Sequence, residues 1–239
     1  MSEDLRLDGR DVQVWVARLR QSPDQIRAFA STLSADELER AQRFHFEHDK
    51  SSFIAARGVL REILGSYLGI DPGQFEVTYG PHGKPALAGA DNDLTFNLSH
   101  SDDVALVALT RGRPIGVDLE RMKRFAEVAD VPPAIFSERE LAEFRDLPRK
   151  DQQASFFNAW TRKEAFVKAT GRGFSMSVKE VEVTFAPGED ARLVRLSGSA
   201  DAAAEWTLRD LRAPHGFKAA VAVRGRVRRV LREEWDTRL

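Results

Sequence analysis

The sequence predicts an α+β fold made of two related halves, with the functional cleft between them. Three observations point there. The order strand, helix, longer helix, strands runs through the chain twice. The segment Phe75-Glu-Val-Thr-Tyr-Gly-Pro81 returns 106 positions later as Val181-Glu-Val-Thr-Phe-Ala-Pro187. The same spacing lays Arg57 on Lys163 and Gly65 on Gly171. A junction near residues 111–114 gives an N-terminal half over 1–112 and a C-terminal half over 113–239, and the interface between two such halves is a favoured place for a ligand.

Each element has its own signal. Residues 12–16 alternate as a first strand. Ser34-Ala-Asp-Glu37 places Glu three residues after Ser, the pattern of a capping box, and starts a helix toward Phe44. Phe53, Ala56, Leu60, Ile63, Leu64 and Tyr67 recur at three- and four-residue steps, an apolar helical stripe that Gly69 is placed to end. Residues 74–79 alternate again, Gly80-Pro-His-Gly-Lys-Pro85 turns, and residues 94–100 and 104–110 form a hairpin across Asp102 and Asp103. The second half replays this order with a strand over 115–120, a helix near 137–144, a longer helix over 152–169 and further strands. The arginine-rich end, with Arg224, Arg226, Arg228, Arg229, Arg232 and Arg238, reads as a solvated strand and tail.

Composition narrows the chemistry. The 239 residues hold 36 Lys+Arg against 37 Asp+Glu, a net charge of −1, and no Cys. A disulfide framework, a thiolate zinc site and a cysteine nucleophile are excluded, and a reducing cytoplasm suits such a chain. The near-neutral balance gives no broad attraction to nucleic acid or to a membrane, so an anionic ligand must meet locally placed cations. The first residues are acidic rather than signal-like, and no apolar run approaches the roughly 18 residues of a spanning helix.

Four motifs could carry chemistry. In Gly116-Val-Asp-Leu-Glu120, alternation along a strand turns Asp118 and Glu120 to one side, with Cα atoms roughly 6.6 Å apart, so that both carboxylates can meet one hard cation such as Mg²⁺. In the helix over 156–168, Phe156, Trp160 and Val167 form a buried stripe, while Thr161, Glu164 and Lys168 share the neighbouring face. Phe96-Asn-Leu-Ser-His-Ser101 leaves Ser99 and His100 at a strand end. Gly83-Lys84-Pro85 is a rigid turn able to hold an anion or a base edge. No G-x-S-x-G elbow, H-E-x-x-H pair or G-x-G-x-x-G loop is present, and His45 and His48 lack further ligands nearby and read as surface residues.

Taken in order, Gly83-Lys-Pro85, Asn97-Leu-Ser-His-Ser101, Gly116-Val-Asp-Leu-Glu120 and Trp160-Thr-Arg-Lys-Glu-Ala-Phe-Val-Lys168 resemble the 4′-phosphopantetheinyl transferases, and the length and duplicated halves match their monomeric, two-lobed Sfp type. The resemblance implies transfer of 4′-phosphopantetheine from coenzyme A to a serine of an apo acyl or peptidyl carrier protein, with release of 3′,5′-ADP. It implies that Asp118, Glu120 and Glu164 hold Mg²⁺ and that Lys168 lies near the pyrophosphate. A carboxylate then accepts the serine proton or orients a water that does, with Glu164 the first choice and Glu120 the second. Ser99, His100, Gly83, Lys84, Pro85, Arg57 and Arg40 correspond to contacts with coenzyme A. The acidic helix of such carriers calls for a basic, apolar docking patch, which Arg121-Met-Lys-Arg-Phe125 would supply. The same carboxylates would also serve a Mg²⁺-dependent hydrolase of coenzyme A or nucleotides, and the fold could persist as a non-catalytic coenzyme A or carrier-binding module.

Overall fold

The computed structural model describes residues 7–89, 93–124 and 130–236. The first half runs β1 (Asp11–Arg18), α1 (Pro23–Thr32), α2 (Ala35–Gln42), α3 (Glu47–Leu68), β2 (Val77–Tyr79), β3 (Pro85–Leu87), β4 (Leu94–Ser101) and β5 (Val104–Arg111). The second begins with β6 (Ile115–Arg121), α4 (Pro132–Ile135), α5 (Glu138–Asp146) and α6 (Arg149–Thr170). It continues with β7 (Val181–Val183), β8 (Leu193–Leu196), α7 (Ala200–Ala204), β9 (Trp206–Asp210), β10 (Phe217–Arg224) and β11 (Arg229–Glu234).

The halves share one wiring. In the first, β1 pairs antiparallel with β5, and β5 with β4; in the second, β6 pairs antiparallel with β10, and β10 with β9. Each half also carries a small hairpin after its long helix, β2 with β3 and β7 with β8. Three apolar layers follow from the alternation. One lies between the first sheet and α1 and α3, another between the second sheet and α6. The third joins the sheets face to face, with Val12, Val14 and Val16 of β1 in the same cluster as Val117 and Leu119 of β6 and Val221 and Val223 of β10. Strand β11 adds to the first sheet, parallel to β1.

The internal correspondence differs from the 106-residue spacing read from the sequence. Helices α3 and α6 have 22 residues each and end on left-handed glycines, Gly69 and Gly171, 102 positions apart. The capping boxes of α2 and α5, Ser34 with Glu37 and Ser137 with Glu140, are 103 apart. Lys163 therefore corresponds to Arg61. Arg61 Nε donates to Glu37 Oε2 at 2.7 Å and Lys163 Nζ to Glu140 Oε2 at 2.6 Å, and each glutamate is almost wholly buried. The repeated heptapeptide overlays strand-forming residue types, whereas these buried pairs fix the true equivalence; removing one partner of such a pair leaves a buried charge that costs about 3–5 kcal/mol.

Sequence periodicity missed α1. Its signal is the N-cap, with Ser22 Oγ accepting from Gln25 N ahead of Pro23 in the first turn. The phenyl ring of its Phe29 fills the space beside Gly58 of α3, where a Cβ would stand 2.3 Å from the ring.

Candidate active site

Strands β4 and β6 are the facing edges of the two sheets, and side chains join them where main-chain pairing stops. Period two puts Asn97, Ser99 and Ser101 on one side of β4. Asn97 Oδ1 accepts from Val117 N at 2.8 Å, Ser99 Oγ from Leu119 N at 3.2 Å and Ser101 Oγ from Arg121 N at 3.1 Å. Two of these hydroxyls also donate onward, Ser99 to Asp118 Oδ1 and Ser101 to Glu120 Oε2, both at 3.2 Å. The seam that closes the two halves thus also orients the two strand carboxylates. Asn97 and Ser101 hold positions in a motif from which only Ser99 and His100 were singled out; the N-x-S-x-S alternation was their signal.

Helix α6 lies over β6 at close range, because a Cβ on Gly116 would stand 2.1 Å from Ala165 O. Trp160, Glu164 and Lys168, each one turn apart, face the strand. Lys168 Nζ donates to Asp118 Oδ1 at 2.6 Å and to Ser99 Oγ at 2.9 Å, and Trp160 Nε1 donates to Glu120 Oε1 at 3.1 Å. Asp118 is 2% exposed, and its Oδ2 is buried without a hydrogen-bond partner. The Glu164 carboxylate has neither a hydrogen bond nor an ion pair among the described residues. Burial raises the pKa of all three carboxyls above the usual range, and the charge of Asp118 adds to this at Glu120 and Glu164.

Among the described residues, no three acidic or histidine side chains are arranged as a ready-made metal cage. Lys168 engages Asp118 and Trp160 engages Glu120, so both strand carboxylates are turned toward donors of the protein itself. The donor set nonetheless fits a hard divalent cation: besides burial, the charge of Asp118 raises the pKa of both glutamates, and Asp118 itself has a buried oxygen with no partner among the described residues.

The other residues singled out in the sequence fall into separate places. Gly83, Lys84 and Pro85 line a mostly apolar cavity of about 580 Å³ together with Trp160, Glu164 and Lys168. Gly83 supplies the turn's left-handed position, at φ 78°. Lys84 Nζ is spent on main-chain acceptors, Ile115 O at 2.8 Å and Ala169 O at 2.9 Å, and burial pulls its pKa down to about 8. His100 points to the opposite face of β4 and lines a second cavity of about 1030 Å³ with Phe44 and Phe53. His100 is an exposed residue, yet partial desolvation and the Lys168 ammonium lower its pKa.

Arg57 is 5% exposed. Its Nε lies 3.1 Å from Glu37 Oε1, and it donates to the Tyr79 hydroxyl. Arg40 is exposed, with its guanidinium 5.6 Å from the Phe53 ring centroid, and borders a smaller cavity of about 350 Å³. Of the expected docking patch, Arg121 pairs with Asp102 at 3.3 Å and stacks over Phe217, Lys123 and Arg124 are exposed, and Phe125 lies outside the described residues. His45 and His48 are exposed, as expected. Among the described residues, no helix is long and apolar enough to cross a membrane.

Known proteins resemble the chain along most of its length. Residues 114–222 match the model of the 4′-phosphopantetheinyl transferase superfamily, and residues 18–111 match the model described as 4′-phosphopantetheinyl transferase, N-terminal. The 4′-phosphopantetheinyl transferase HetI of Nostoc sp. is 41% identical over 224 residues, covering 93% of this chain and 91% of that protein. A 4′-phosphopantetheinyl transferase of Bacillus subtilis is 30% identical over 173 residues, covering 71% and 74%. The transferase Sfp of Bacillus subtilis strain 168 is 25% identical over 162 residues, covering 68% and 70%. With this extent of likeness, carried across both halves, the chain belongs to the 4′-phosphopantetheinyl transferases, in their Sfp type.

Proposed function

We propose that the chain moves the 4′-phosphopantetheine group of coenzyme A onto a serine hydroxyl of an apo acyl or peptidyl carrier protein and releases 3′,5′-ADP. The observation that carries this reading is the group Asp118, Glu120 and Glu164 beside Lys168, at the seam of two similar halves and at the edge of a cavity. The reading takes residues 1–112 and 113–239 as the two halves and the enzyme as a cytoplasmic monomer.

Asp118, Glu120 and Glu164 would hold Mg²⁺, which when bound neutralises charge on the pyrophosphate and on the departing 3′,5′-ADP. Ser99 and Ser101 of β4 orient Asp118 and Glu120 of β6 across the seam. Lys168 brings a cation to a cleft whose three carboxylates would otherwise repel coenzyme A. Glu120 has both oxygens engaged, by Trp160 and Ser101, while Glu164 has no partner. Glu164 is therefore the better acceptor for the serine proton. Gly83, Pro85, Ser99, His100, Arg57 and Arg40 are proposed contacts of coenzyme A, with Arg57 at its nucleotide phosphates, and the exposed pair Lys123 and Arg124 a docking point for an acidic carrier helix.

Intact-mass measurement of an apo carrier protein after incubation with coenzyme A and Mg²⁺ tests the reading. The expected product carries one phosphopantetheine, and a chelator prevents its formation. Free phosphopantetheine with an unmodified carrier would indicate a hydrolase, and no reaction with any carrier would indicate a binding module; either result rejects the proposal.

A further inference from the structure

The side chain of Lys84 leaves one half of the molecule and ends in the other. It stems from the tight turn between β2 and β3, where Gly83 N donates to Gly80 O and Gly80 N to Lys84 O, both at 2.9 Å. Its ammonium then donates to Ile115 O, the first residue of β6, and to Ala169 O, in the last turn of α6. The last carbonyls of a helix lack intrahelical partners and carry the negative end of its dipole, so an ammonium there both satisfies an acceptor and neutralises charge. The fit is close: a Cβ on Gly171, the residue that caps α6, would stand 3.3 Å from Lys84 Cδ.

These two carbonyls belong to the two elements that carry the active-site acids. Ile115 precedes Asp118 by three residues on β6, and Ala169 follows Lys168 directly on α6. An ammonium free to meet a ligand keeps its donors open. Two of the three donors on Lys84 are instead committed to the protein's own backbone.

We propose that Lys84 is a positioning residue of the transfer reaction: it clamps the last turn of α6 to the start of β6, and so sets Glu164 and Lys168 against Asp118 and Glu120. Burial pulls its pKa down to about 8, which still leaves it mostly an ammonium at pH 7. The kinetic consequence rests on the transferase reading; the structural one does not.

The test compares full-length Lys84→Met and Lys84→Arg with the unchanged chain by three measurements. These are kcat for carrier modification, Kd for coenzyme A by calorimetry, and amide hydrogen exchange. With Lys84→Met, kcat should fall about tenfold or more while Kd stays within about threefold, as expected when reacting groups are misplaced by a fraction of an ångström. Exchange should accelerate over residues 115–119 and 166–171 and stay unchanged over 54–64 of α3. Lys84→Arg, which keeps charge and donors, should recover both. If Lys84→Met fails to fold, Lys84→Gln carries the same comparison. A Kd raised about tenfold or more, with kcat and exchange unchanged, would make Lys84 a ligand contact and overturn the clamp. Loss of the transferase reading would leave the exchange comparison still able to decide it.

Discussion

Asn97 shows how a single polar side chain can join two sheets. Its Oδ1 is the acceptor for the buried Val117 N–H, and the hydroxyls of Ser99 and Ser101 repeat the arrangement two and four residues on. In Asn97→Leu that amide would lose its acceptor away from water, which costs about 1–3 kcal/mol. Urea unfolding should show this loss, and full retention of stability would mean that the seam is not needed to close the halves. The acids were legible in the sequence because strand alternation alone puts Asp118 and Glu120 on one side. The basic residues were not, because which acid a long cation meets depends on the fold. Arg57 and Arg61 both point inward to Glu37 from one helix, and nothing in the order of residues separates them from exposed Arg40.

At the scale of elements, β6 and α6 form the frame of the proposed site, and their separation is set by Gly116. A methyl group there would stand 2.1 Å from Ala165 O and 2.3 Å from Ala169 N, both backbone atoms that cannot yield alone. Gly116→Ala should therefore push the helix away, costing about 1–3 kcal/mol by overpacking, and lower kcat by displacing Glu164 and Lys168 together. An unchanged urea midpoint would contradict this packing. The hairpin of β4 and β5, the two capped helices and the two long helices were all readable, since each has a local signal in periodicity or capping. The 106-residue repeat misled by four positions: its two copies fall on the equivalent strands β2 and β7, but the long helices before them are 102 apart, so the same offset cannot serve both.

For the molecule as a whole, the chain's last strand returns to its first. Strand β11 pairs parallel with β1, and Trp235 lies against Phe29 with ring centroids 5.8 Å apart. Arg228 and Arg229 hold Asp11, whose side chain is 2% exposed, at 2.8 and 2.6 Å. The arginines read from the sequence as a solvated tail are thus partly a clasp, invisible beforehand because their partner lies more than two hundred residues away. Hydrogen bonds from both guanidiniums keep the Asp11 carboxyl far below its ordinary value. A carboxyl depressed in the folded state adds stability above its unfolded pKa of about 4, and that stability is lost as pH falls further. Acid unfolding of the unchanged chain should steepen below about pH 4, and Asp11→Asn should be less stable at neutral pH and flatter in acid. Parallel curves for the two proteins would remove the clasp from the account.

The most direct test of the active site is the kinetics of Glu164→Ala with coenzyme A, Mg²⁺ and an apo carrier. A carboxylate that acts in the transition state predicts a fall in kcat of more than about 100-fold, with coenzyme A still bound within about threefold of the original affinity. A variant that modifies the carrier at close to the original rate would contradict the role given to this side chain, and with it the three-carboxylate site.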